Sequence, residues 1–243
     1  VLFRSDITGF KELATSSEAY MNHFYKSMEY SVNMLTPGYM RRSVSSIRVY
    51  DPENNNYFVQ ARTNRRWIDG RPVPTERDLD ISLINADSRG FFCVKLPNGM
   101  EAYTRDGRLR YNHENKLVTI AGGLPILGEE GEIIALNKDV YFNEKGVVYS
   151  GHDQLDTLKI KVFKDFQDMT AHLYTMDGIV FILDKPIEED LEMKYKVLQG
   201  YVTQSNSFQS FDSGVYKQGF KANIGAFKML AKTTKTLGDA MNK

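Results

Sequence analysis

The chain has 243 residues, with 31 lysines and arginines balanced by 31 aspartates and glutamates. This length suits one or two domains with a buried core, and the balanced charge gives no general attraction to nucleic acid or anionic membranes. The single cysteine, Cys93, excludes an intramolecular disulfide framework and a multi-cysteine zinc site. Because no apolar run is long enough to span a bilayer, we expect no membrane insertion.

The first segment of the chain predicts an amphipathic helix. Residues 1–5 are excluded from it as foreign, since Leu-Phe-Arg-Ser is the translation of a common sequencing adapter. Apolar residues then recur at spacings of three and four, which is the helical period; they are Met21, Phe24, Met28, Val32 and Leu35. Thr36-Pro37-Gly38 ends the pattern, because proline cannot continue the hydrogen-bond ladder. We therefore assign residues 6–38 to an N-terminal helix.

Residues 39–78 are predicted to form a β and connecting segment. Arg41–Tyr50 and Tyr57–Thr63 alternate in polarity and are rich in β-branched and aromatic residues, as strands are. A polar turn, Asp51–Asn56, separates them. Asp69–Asp80 is polar and contains prolines, so we interpret it as a connection.

Residues 79–207 are predicted to form a β-rich body, and Asn85–Ile133 carries its clearest signals. Phe91–Leu96 and Glu101–Thr104 are predicted strands joined by a turn at Asn98-Gly99. Asp106-Gly107 predicts a second hairpin turn before a strand at Leu109–Tyr111, since both dipeptides tolerate positive φ. Further strand signals follow at Val140–Tyr149, Thr157–Phe163 and Ile179–Leu183, the last after a turn at Met176–Gly178.

Residues 208–241 return to the helical period beside five lysines, so we assign residues 208–243 to a C-terminal helix. An isolated amphipathic helix gains most of its stability from a partner, so we expect the two terminal helices to pack together. The predicted fold is mainly β, an antiparallel meander or sandwich-like body with terminal amphipathic helices. The candidate assembly interface is the apolar face of these helices: Met21, Phe24, Met28, Val32, Leu35, Phe220, Ile224, Phe227, Leu230 and Leu237.

No constellation of residues predicts catalysis, a cofactor or a metal. The four histidines are scattered without a second ligand at metal spacing, and His152-Asp153 predicts a surface turn. The acidic run Asp184–Glu192 lacks the order of a calcium loop, so we interpret it as a solvated loop or a helix start. Gly122-Gly123 lacks a following Gly-Lys-Ser/Thr, so we interpret these residues as turn glycines. Cys93 lies among Phe91, Phe92 and Val94, which predicts a buried structural thiol.

Arginines gather in the first third of the chain, with few acidic residues between them. A solvated face or contacts to a neighbouring subunit explain them better than an anion or nucleic-acid site does. They are Arg41, Arg42, Arg48, Arg62, Arg65, Arg66, Arg71 and Arg77. We expect neither a nucleic-acid partner nor a small-molecule substrate.

Two ordered blocks of residues carry a family resemblance. The first is Gly-Phe-Phe-x-Val, Tyr-Thr-Arg-Asp-Gly, Leu-Val-Thr and Gly-x-Pro-Ile-Leu-Gly, and the second is Gln-Gly-Tyr followed by Ser-Asn. Together they resemble the flagellar basal-body rod and hook proteins. The motif residues are Gly90, Phe91, Phe92, Tyr103, Thr104, Arg105, Gly107, Gly123, Pro125, Gly128, Gln199, Gly200, Tyr201 and Asn206.

The resemblance implies a non-catalytic structural subunit of the bacterial flagellum. It also implies that the terminal helices pair with each other and that the β body faces outward from them. The implied partners are other flagellar proteins or copies of the chain itself. The chain departs from the family where Ser31–Tyr39 lacks the Asn-rich signature and where the last helix is rich in lysine. An alternative is therefore a sheath or coiling protein of periplasmic flagella built on the same β body. More distant alternatives are a β-scaffold enzyme, a binding protein, and a soluble adaptor that uses its terminal helices.

Overall fold

A computed structural model describes residues 28–53, 55–85, 87–136, 139–175 and 177–207, together with positions 21, 25, 26, 221, 224, 225 and 228. The chain divides into two compact units. One contains Arg42–Asn64, and the other contains Val32–Arg41 and Arg65–Gln209. Residues 1–5 and most of the predicted terminal helices, with Phe24, Phe220, Phe227, Leu230 and Leu237, lie outside the described residues. The described positions 21, 25, 26, 28–32, 221, 224, 225 and 228 are helical.

The first unit contains a long hairpin made of β1 (Arg42–Asp51) and β2 (Asn56–Arg65). The hydroxyl of Ser43 donates to the carbonyl of Asn64 at 3.2 Å, and that of Ser45 donates to the carbonyl of Arg62 at 3.4 Å. The Tyr50 and Tyr57 rings face each other across the strands, with centroids 5.2 Å apart. The two strands predicted here are confirmed.

The second unit is an antiparallel β body with one short helix. Its strands are β3 (Pro72–Pro74), β4 (Ile81–Asn85), β5 (Gly90–Lys95), β6 (Glu101–Thr104), β7 (Leu109–Tyr111), β8 (Leu117–Thr119), β9 (Val140–Phe142), β10 (Val147–Ser150), β11 (Asp153–Thr157), β12 (Ile160–Val162), β13 (Leu173–Tyr174), β14 (Val180–Leu183), β15 (Tyr195–Gln199) and β16 (Tyr201–Thr203), and its helix is α1 (Phe166–His172). The mainly β, antiparallel fold class is confirmed.

The strands of the second unit form one five-stranded sheet and several smaller ones. The large sheet has the order β12-β5-β6-β14-β13, and a three-stranded sheet has the order β11-β10-β9. The pairs β15-β4, β16-β3 and β7-β8 complete the body. The late strands β15 and β16 thus pair with strands more than a hundred residues earlier, which closes the body on itself.

Strand β5 is buried on both faces. Phe92 belongs to a large apolar cluster with Ile81, Leu109 and residues of the three-stranded sheet. Phe91 and Cys93 point to the opposite face, into a second cluster that contains Trp67. A strand covered on both sides requires a continuous apolar run instead of alternation, and Gly-Phe-Phe-Cys-Val provides one. The buried structural role predicted for Cys93 is confirmed.

The turn between β5 and β6 is as predicted, but the turn after β6 is different. Gly99 has φ of +84°, as expected in an Asn-Gly turn. Asp106-Gly107, however, does not close a hairpin, because β6 pairs with β5 and β14 whereas β7 pairs with β8. The prediction of a second hairpin there was wrong. Gly107 is needed for space: a Cβ on it would lie 1.8 Å from the carbonyl oxygen of Ile81.

One further prediction of an element requires correction. The segment predicted as a connection contains β3, whose Val73 pairs with Val202 of β16. Strand β3 is exposed, and proline is tolerated there because no ladder hydrogen bond is lost on the open side.

The meander predicted to continue through Val140–Tyr149 forms a hairpin of β9 and β10 there. Asn143 accepts backbone hydrogen bonds from Lys145 and Val147 in its turn.

Replacing Gly107 by alanine tests the close crossing. We expect Gly107→Ala to lower the free energy of unfolding by about 3 kcal/mol or more, since the backbone of Ile81 must move. Gly99→Ala is the control, because a Cβ there meets nothing within 4 Å and only the positive φ is penalised, by about 1 to 2 kcal/mol. Urea unfolding followed by fluorescence of the sole tryptophan, Trp67, measures both. Equal losses would contradict the crowding at Gly107.

Candidate assembly site

Four chain segments meet in the second unit and form a buried polar centre, which we call the junction. The junction consists of Gly38–Arg41, Arg66–Gly70, Arg105-Asp106 and Thr203–Asn206. Gly38 donates its N–H to the carbonyl of Thr203 at 2.7 Å, and Arg66 donates its N–H to that of Arg41 at 3.0 Å. Two family-motif residues, Arg105 and Asn206, lie here, so the junction is where motif residues and buried polar contacts coincide.

Asn206 connects three of these segments through its side-chain amide. Its Oδ1 accepts from the N–H of Arg41 at 2.7 Å. Its Nδ2 donates to the carbonyls of Arg66 at 2.8 Å and Ile68 at 2.9 Å, and its N–H donates to the carbonyl of Tyr39 at 3.2 Å. Buried backbone groups need such partners, and an amide has both the donors and the acceptor that this position requires.

Arg105 is the largest fully buried side chain in the described part of the chain. Its Nη2 lies 2.9 Å from Oδ2 of Asp69, and its Nη1 donates to the carbonyl of Leu83 at 3.2 Å. The guanidinium stands over the ring of Phe91, 5.1 Å from its centroid. Burial lowers the pKa of Arg105 and raises the pKa of Asp69, and the attraction between the two charges opposes both shifts. The pair therefore joins the junction to the large sheet.

Glycines allow the segments to approach each other closely. Gly38 has φ of +70°, and a Cβ on it would lie 2.4 Å from the amide nitrogen of Asp106. A Cβ on Gly70 would lie 1.6 Å from the carbonyl oxygen of Gln204, and one on Gly178 would lie 2.4 Å from the Tyr39 ring. The Gly-Tyr step at Gly38-Tyr39 is thus fixed by contacts with segments far away in sequence.

Thr104 and Asp106 shape the chain where it leaves the large sheet. The hydroxyl of Thr104 donates to the carbonyl of Ile179 at 2.9 Å and accepts from the N–H of Asp106 at 3.1 Å. The Asp106 carboxylate accepts from Nε of Arg108 at 2.9 Å and from its Nη2 at 2.7 Å. These bonds satisfy a buried carboxylate and fix the direction of the chain towards β7.

The second motif block organises a different edge of the body. Gln199 donates through Nε2 to the carbonyls of Asp78 at 2.7 Å and Val140 at 3.2 Å, and its Oε1 accepts from the N–H of Phe142 at 3.2 Å. Gly200 has φ of +75°, and its carbonyl accepts from the N–H of Thr75 at 2.7 Å. Gln199 therefore connects β9 and β15 to the segment before β4.

The remaining motif residues are placed in the sheets and turns of the body. Gly90 and Tyr103 lie in β5 and β6, and Tyr201 pairs with Pro74 in the β16-β3 sheet. Pro125 accepts from the N–H of Lys95 at 2.9 Å. Gly123 has φ of +62°, and a Cβ on Gly128 would lie 2.0 Å from the Asp156 carboxylate. All the motif residues thus belong to the second unit.

The predicted assembly interface is described at only five positions. Met21, Met28, Val32, Leu35 and Ile224 are all exposed, Val32 by 78% and Leu35 by 77%. Exposed apolar side chains of this size are available for contacts with another molecule. That they form an interface stays a prediction.

The other residues singled out as chemical candidates are placed apart from one another. His113 and His152 are exposed, and His152 lies in a turn as predicted. His172 pairs with Asp184 at 2.9 Å, while Glu188 and Glu189 pair with Lys164 and Lys161. Among the described residues, no group of histidine, cysteine and carboxylate side chains could hold a metal ion. No helix in the same part of the chain is long and apolar enough to cross a membrane.

The Cys93 thiol does not have the surroundings of a reactive cysteine. It is fully buried, and burial, followed by the nearby charge of Glu101, raises its pKa well above its usual range. A thiol that remains protonated is a poor nucleophile. The side chain packs as a small apolar group.

Sequence reasoning missed several residues of the junction. Asp69 and Gly70 lie in a segment interpreted as a connection, and Asp106 was assigned to a hairpin turn. Trp67, the sole tryptophan, packs at 5.4 Å from Phe181 and 6.3 Å from Phe91. A lone tryptophan next to an Asp-Gly pair was the available signal that this connection is anchored in the core.

The middle of the chain matches a known family. Residues 86–150 match the family model described as the flagellar hook protein FlgE/F/G D1 domain. The flagellar basal-body rod protein FlgF of Buchnera aphidicola subsp. Baizongia pistaciae is 26% identical over 163 residues, which cover 63% of this chain and 62% of that protein. FlgF of Caulobacter vibrioides is 34% identical over 98 residues, covering 39% of this chain and 38% of that protein.

A third relative is the rod protein FlgG of the same Buchnera strain, 41% identical over 63 residues that cover 22% of this chain and 24% of that protein. The chain thus spans about three fifths of the first of these relatives and less of the other two. The matched segment begins before β5 and extends to the end of β10. Residues 86–150 of the second unit are therefore similar to the flagellar D1 domain. Over its middle part the chain is similar to flagellar rod and hook proteins.

Replacing Asn206 by aspartate tests the junction with almost no change of shape. We expect Asn206→Asp to cost about 3 kcal/mol of unfolding free energy at neutral pH, because two carbonyls lose their donors and a charge is buried. The cost should shrink in acid, where the introduced carboxyl is neutral and can donate again. Urea unfolding at pH 7 and pH 4 measures this.

The matched control is Asn98→Asp, in the exposed turn after β5. Asn98 accepts there through Oδ1 from the N–H of Met100 at 3.0 Å, and aspartate keeps that acceptor. The donation from its Nδ2 to Sδ of Met100 at 3.2 Å would be lost, but that bond is exposed and thioether sulfur is a weak acceptor. We expect no measurable loss of stability and no dependence of the difference on pH. An Asn206→Asp chain as stable as the control would contradict the role of the amide.

Proposed function

We propose that the chain is a non-catalytic structural subunit of the bacterial flagellum, which assembles by repeated contacts with other flagellar structural proteins and copies of itself and contributes to motility. The observation that carries the proposal is the match of residues 86–150 to the flagellar D1 domain. The relatives' names as basal-body rod proteins support it.

The interior of the body agrees with a structural role. The main polar side chains of the junction are directed at other parts of the protein: Asn206 bonds to backbone, Arg105 pairs with Asp69 and donates to Leu83, and Asp106 pairs with Arg108. A catalytic site needs polar groups that converge on an open position for a substrate. In the described junction these groups stabilise the packing of chain segments instead.

Exposed apolar residues support the contacts through which the subunit would assemble. Val32 and Leu35 lie in the predicted assembly interface and are exposed. Contacts that are not closed by symmetry build an open helical array, and such an array can transmit torque or shape a filament. We propose the flagellar basal body or a periplasmic filament as the location.

A sheath or coiling subunit of periplasmic flagella is the second candidate. The observation that favours it is the lysine-rich C-terminal segment, with Lys217, Lys221, Lys228, Lys232 and Lys235, where rod and hook proteins tend towards Glu, Gln and Asn. A coat around a filament would use the β body without the axial helix signature.

Location within isolated flagella decides between the two candidates. We expect immunolabelling, with tomography of cells with and without the gene, to show the protein in the flagellum and a structural defect without it. Label confined to the basal body would exclude the sheath role, and label along the filament would exclude the rod role. Absence of the protein from purified flagella, with normal flagella in the deletion strain, would overturn the proposal.

Charged substitutions on the exposed apolar face test assembly directly. We expect Val32→Asp with Leu35→Asp to weaken association with flagellar structures by about a hundredfold or more, since burying two aliphatic side chains contributes about 3 kcal/mol or more. Leu191→Asp is the control, because Leu191 is 91% exposed but lies outside the predicted interface. Co-sedimentation with purified flagella gives the measurement, and equal behaviour of the two variants would contradict the interface.

A further inference from the structure

The second unit contains a cleft that its packing does not explain. It has a volume of about 610 Å³ and lies between the segment before β4 and the start of β9. Its walls are formed by Glu76, Arg77, Asp78, Tyr111, Asp139 and Tyr141, with Leu79, Val140 and Gln199 at the base. The hydrogen bonds of Gln199 to Asp78 and Val140 keep the two walls together.

The cleft is negatively charged. Glu76, Asp78 and Asp139 are exposed, and none of the three forms an ion pair with another residue that the structure describes. Arg77 is the one cation of the wall, and its charge is already balanced: Nη1 lies 3.4 Å from Oδ1 of the buried Asp80, and Nη2 donates to the carbonyl of Leu109 at 2.9 Å. A ligand would therefore meet three carboxylates without a competing free cation in the described wall.

Aromatic rings complete the wall. Tyr141 is 54% exposed and packs against Tyr149, with centroids 6.0 Å apart. Tyr111 is half-buried, and burial, with the nearby charge of Asp139, raises its pKa. Carboxylates beside aromatic faces suit an organic cation, which gains both charge pairing and cation–π attraction. These carboxylates are not clustered closely enough for a metal, as no described group could hold one.

The matching surface is one face of the β1-β2 hairpin in the first unit. Tyr50 and Tyr57 pack across the strands and are 47% and 60% exposed. Arg48 lies two residues before Tyr50, so its side chain is on the same face of β1. Arg48 is exposed and forms no ion pair with a described residue. This face thus combines an available guanidinium with exposed aromatic area.

We propose that the Arg48, Tyr50 and Tyr57 face of one copy binds in the acidic aromatic cleft of a second copy of this chain. The guanidinium of Arg48 pairs with Asp139 and Asp78, and the tyrosines of the hairpin pack against Tyr141. The inference rests on the proposed assembly of repeated subunits and identifies one of its contacts. Since the two surfaces differ, the contact is heterologous. A pair of copies then leaves one hairpin face and one cleft unused, and these can bind the next copies.

Charge reversal on each surface, with the full-length chain, tests the contact. We expect Asp139→Lys and Arg48→Glu each to lower the self-association constant by about tenfold at low salt, because like charges then meet. The double variant Asp139→Lys/Arg48→Glu should recover association. Sedimentation velocity across a concentration series gives the constants, and far-UV circular dichroism with Trp67 fluorescence checks that each variant is folded.

Mixing the two single variants isolates a contact between copies. Each variant has one native and one reversed surface, so in a one-to-one mixture every hairpin finds a cleft of opposite charge on the other variant. The mixture should associate although neither variant does alone. A contact within one chain would be repaired in the double variant but not in the mixture. If neither the mixture nor the double variant recovers association, the inference is overturned.

Matched controls use one charge elsewhere on the hairpin and one charge elsewhere on the second unit. The carbonyl of Arg62 accepts from the hydroxyl of Ser45, so these two residues lie opposite each other in the hairpin. Ser45 is an odd number of residues from Arg48 along β1, so Ser45 and Arg62 are on the other face of the hairpin. Asp153 is exposed at the start of β11. Arg62→Glu and Asp153→Lys should leave association unchanged, and a loss equal to that of the cleft variants would contradict a specific contact.

The outcome is separable from that of the proposed function. A wild-type chain that associates, but equally in all the charge variants, overturns this contact and leaves the flagellar role intact. A wild-type chain that stays monomeric also overturns the contact. The flagellar role is judged independently, by the location of the protein in isolated flagella.

Discussion

Strand β5 is covered by apolar side chains on both of its faces, and the arrangement of the body depends on that burial. Phe92 packs towards the β7-β8 and β9-β10 side, while Phe91 and Cys93 pack towards Trp67 and α1. Hydrogen bonds on both edges, to β12 and β6, remove the remaining freedom of the strand. Each residue of the run from Gly90 to Val94 is therefore constrained by side-chain volume on one face or the other.

The polar groups of the junction fix the arrangement of chain segments that the apolar clusters alone leave undetermined. Apolar packing is non-directional, so it does not by itself determine which backbone segment lies where. The hydrogen bonds of Asn206 and Arg105 are directional, so each side chain joins particular segments. Leaving a buried partner without its hydrogen bond would cost on the order of 1–3 kcal/mol per group, about twice the net contribution of one hydrogen bond. The junction thus selects one arrangement of the segments around a core that could otherwise tolerate more than one.

Local signals in the sequence were sufficient for some elements and insufficient for others. Asn98-Gly99 predicted its hairpin because a tight turn depends mainly on the few residues that form it, here with Gly99 at positive φ. Asp106-Gly107 is a similar turn dipeptide, but its role is set by Ile81 and Arg108. The local signal therefore predicted a hairpin where the chain crosses between sheets. The β3 strand was missed because it depends on β16, more than a hundred residues later. For the same reason the sequence did not indicate that Arg105 is the partner of Asp69, because the two residues are brought together only by the fold. The resemblance identified Gln199 as a motif residue, but it did not indicate that Gln199 joins the walls of the cleft.

The burial of Cys93 has a practical consequence. The only native thiol of the chain is fully enclosed and protonated, so thiol reagents and oxidants have no surface sulfur to attack in the folded protein. A cysteine introduced at any exposed position is then the sole reactive thiol, with no need to remove the native one and create a cavity in the second cluster. Pairs of such cysteines can map neighbours in an assembled array, one disulfide at a time, in an otherwise unmodified chain.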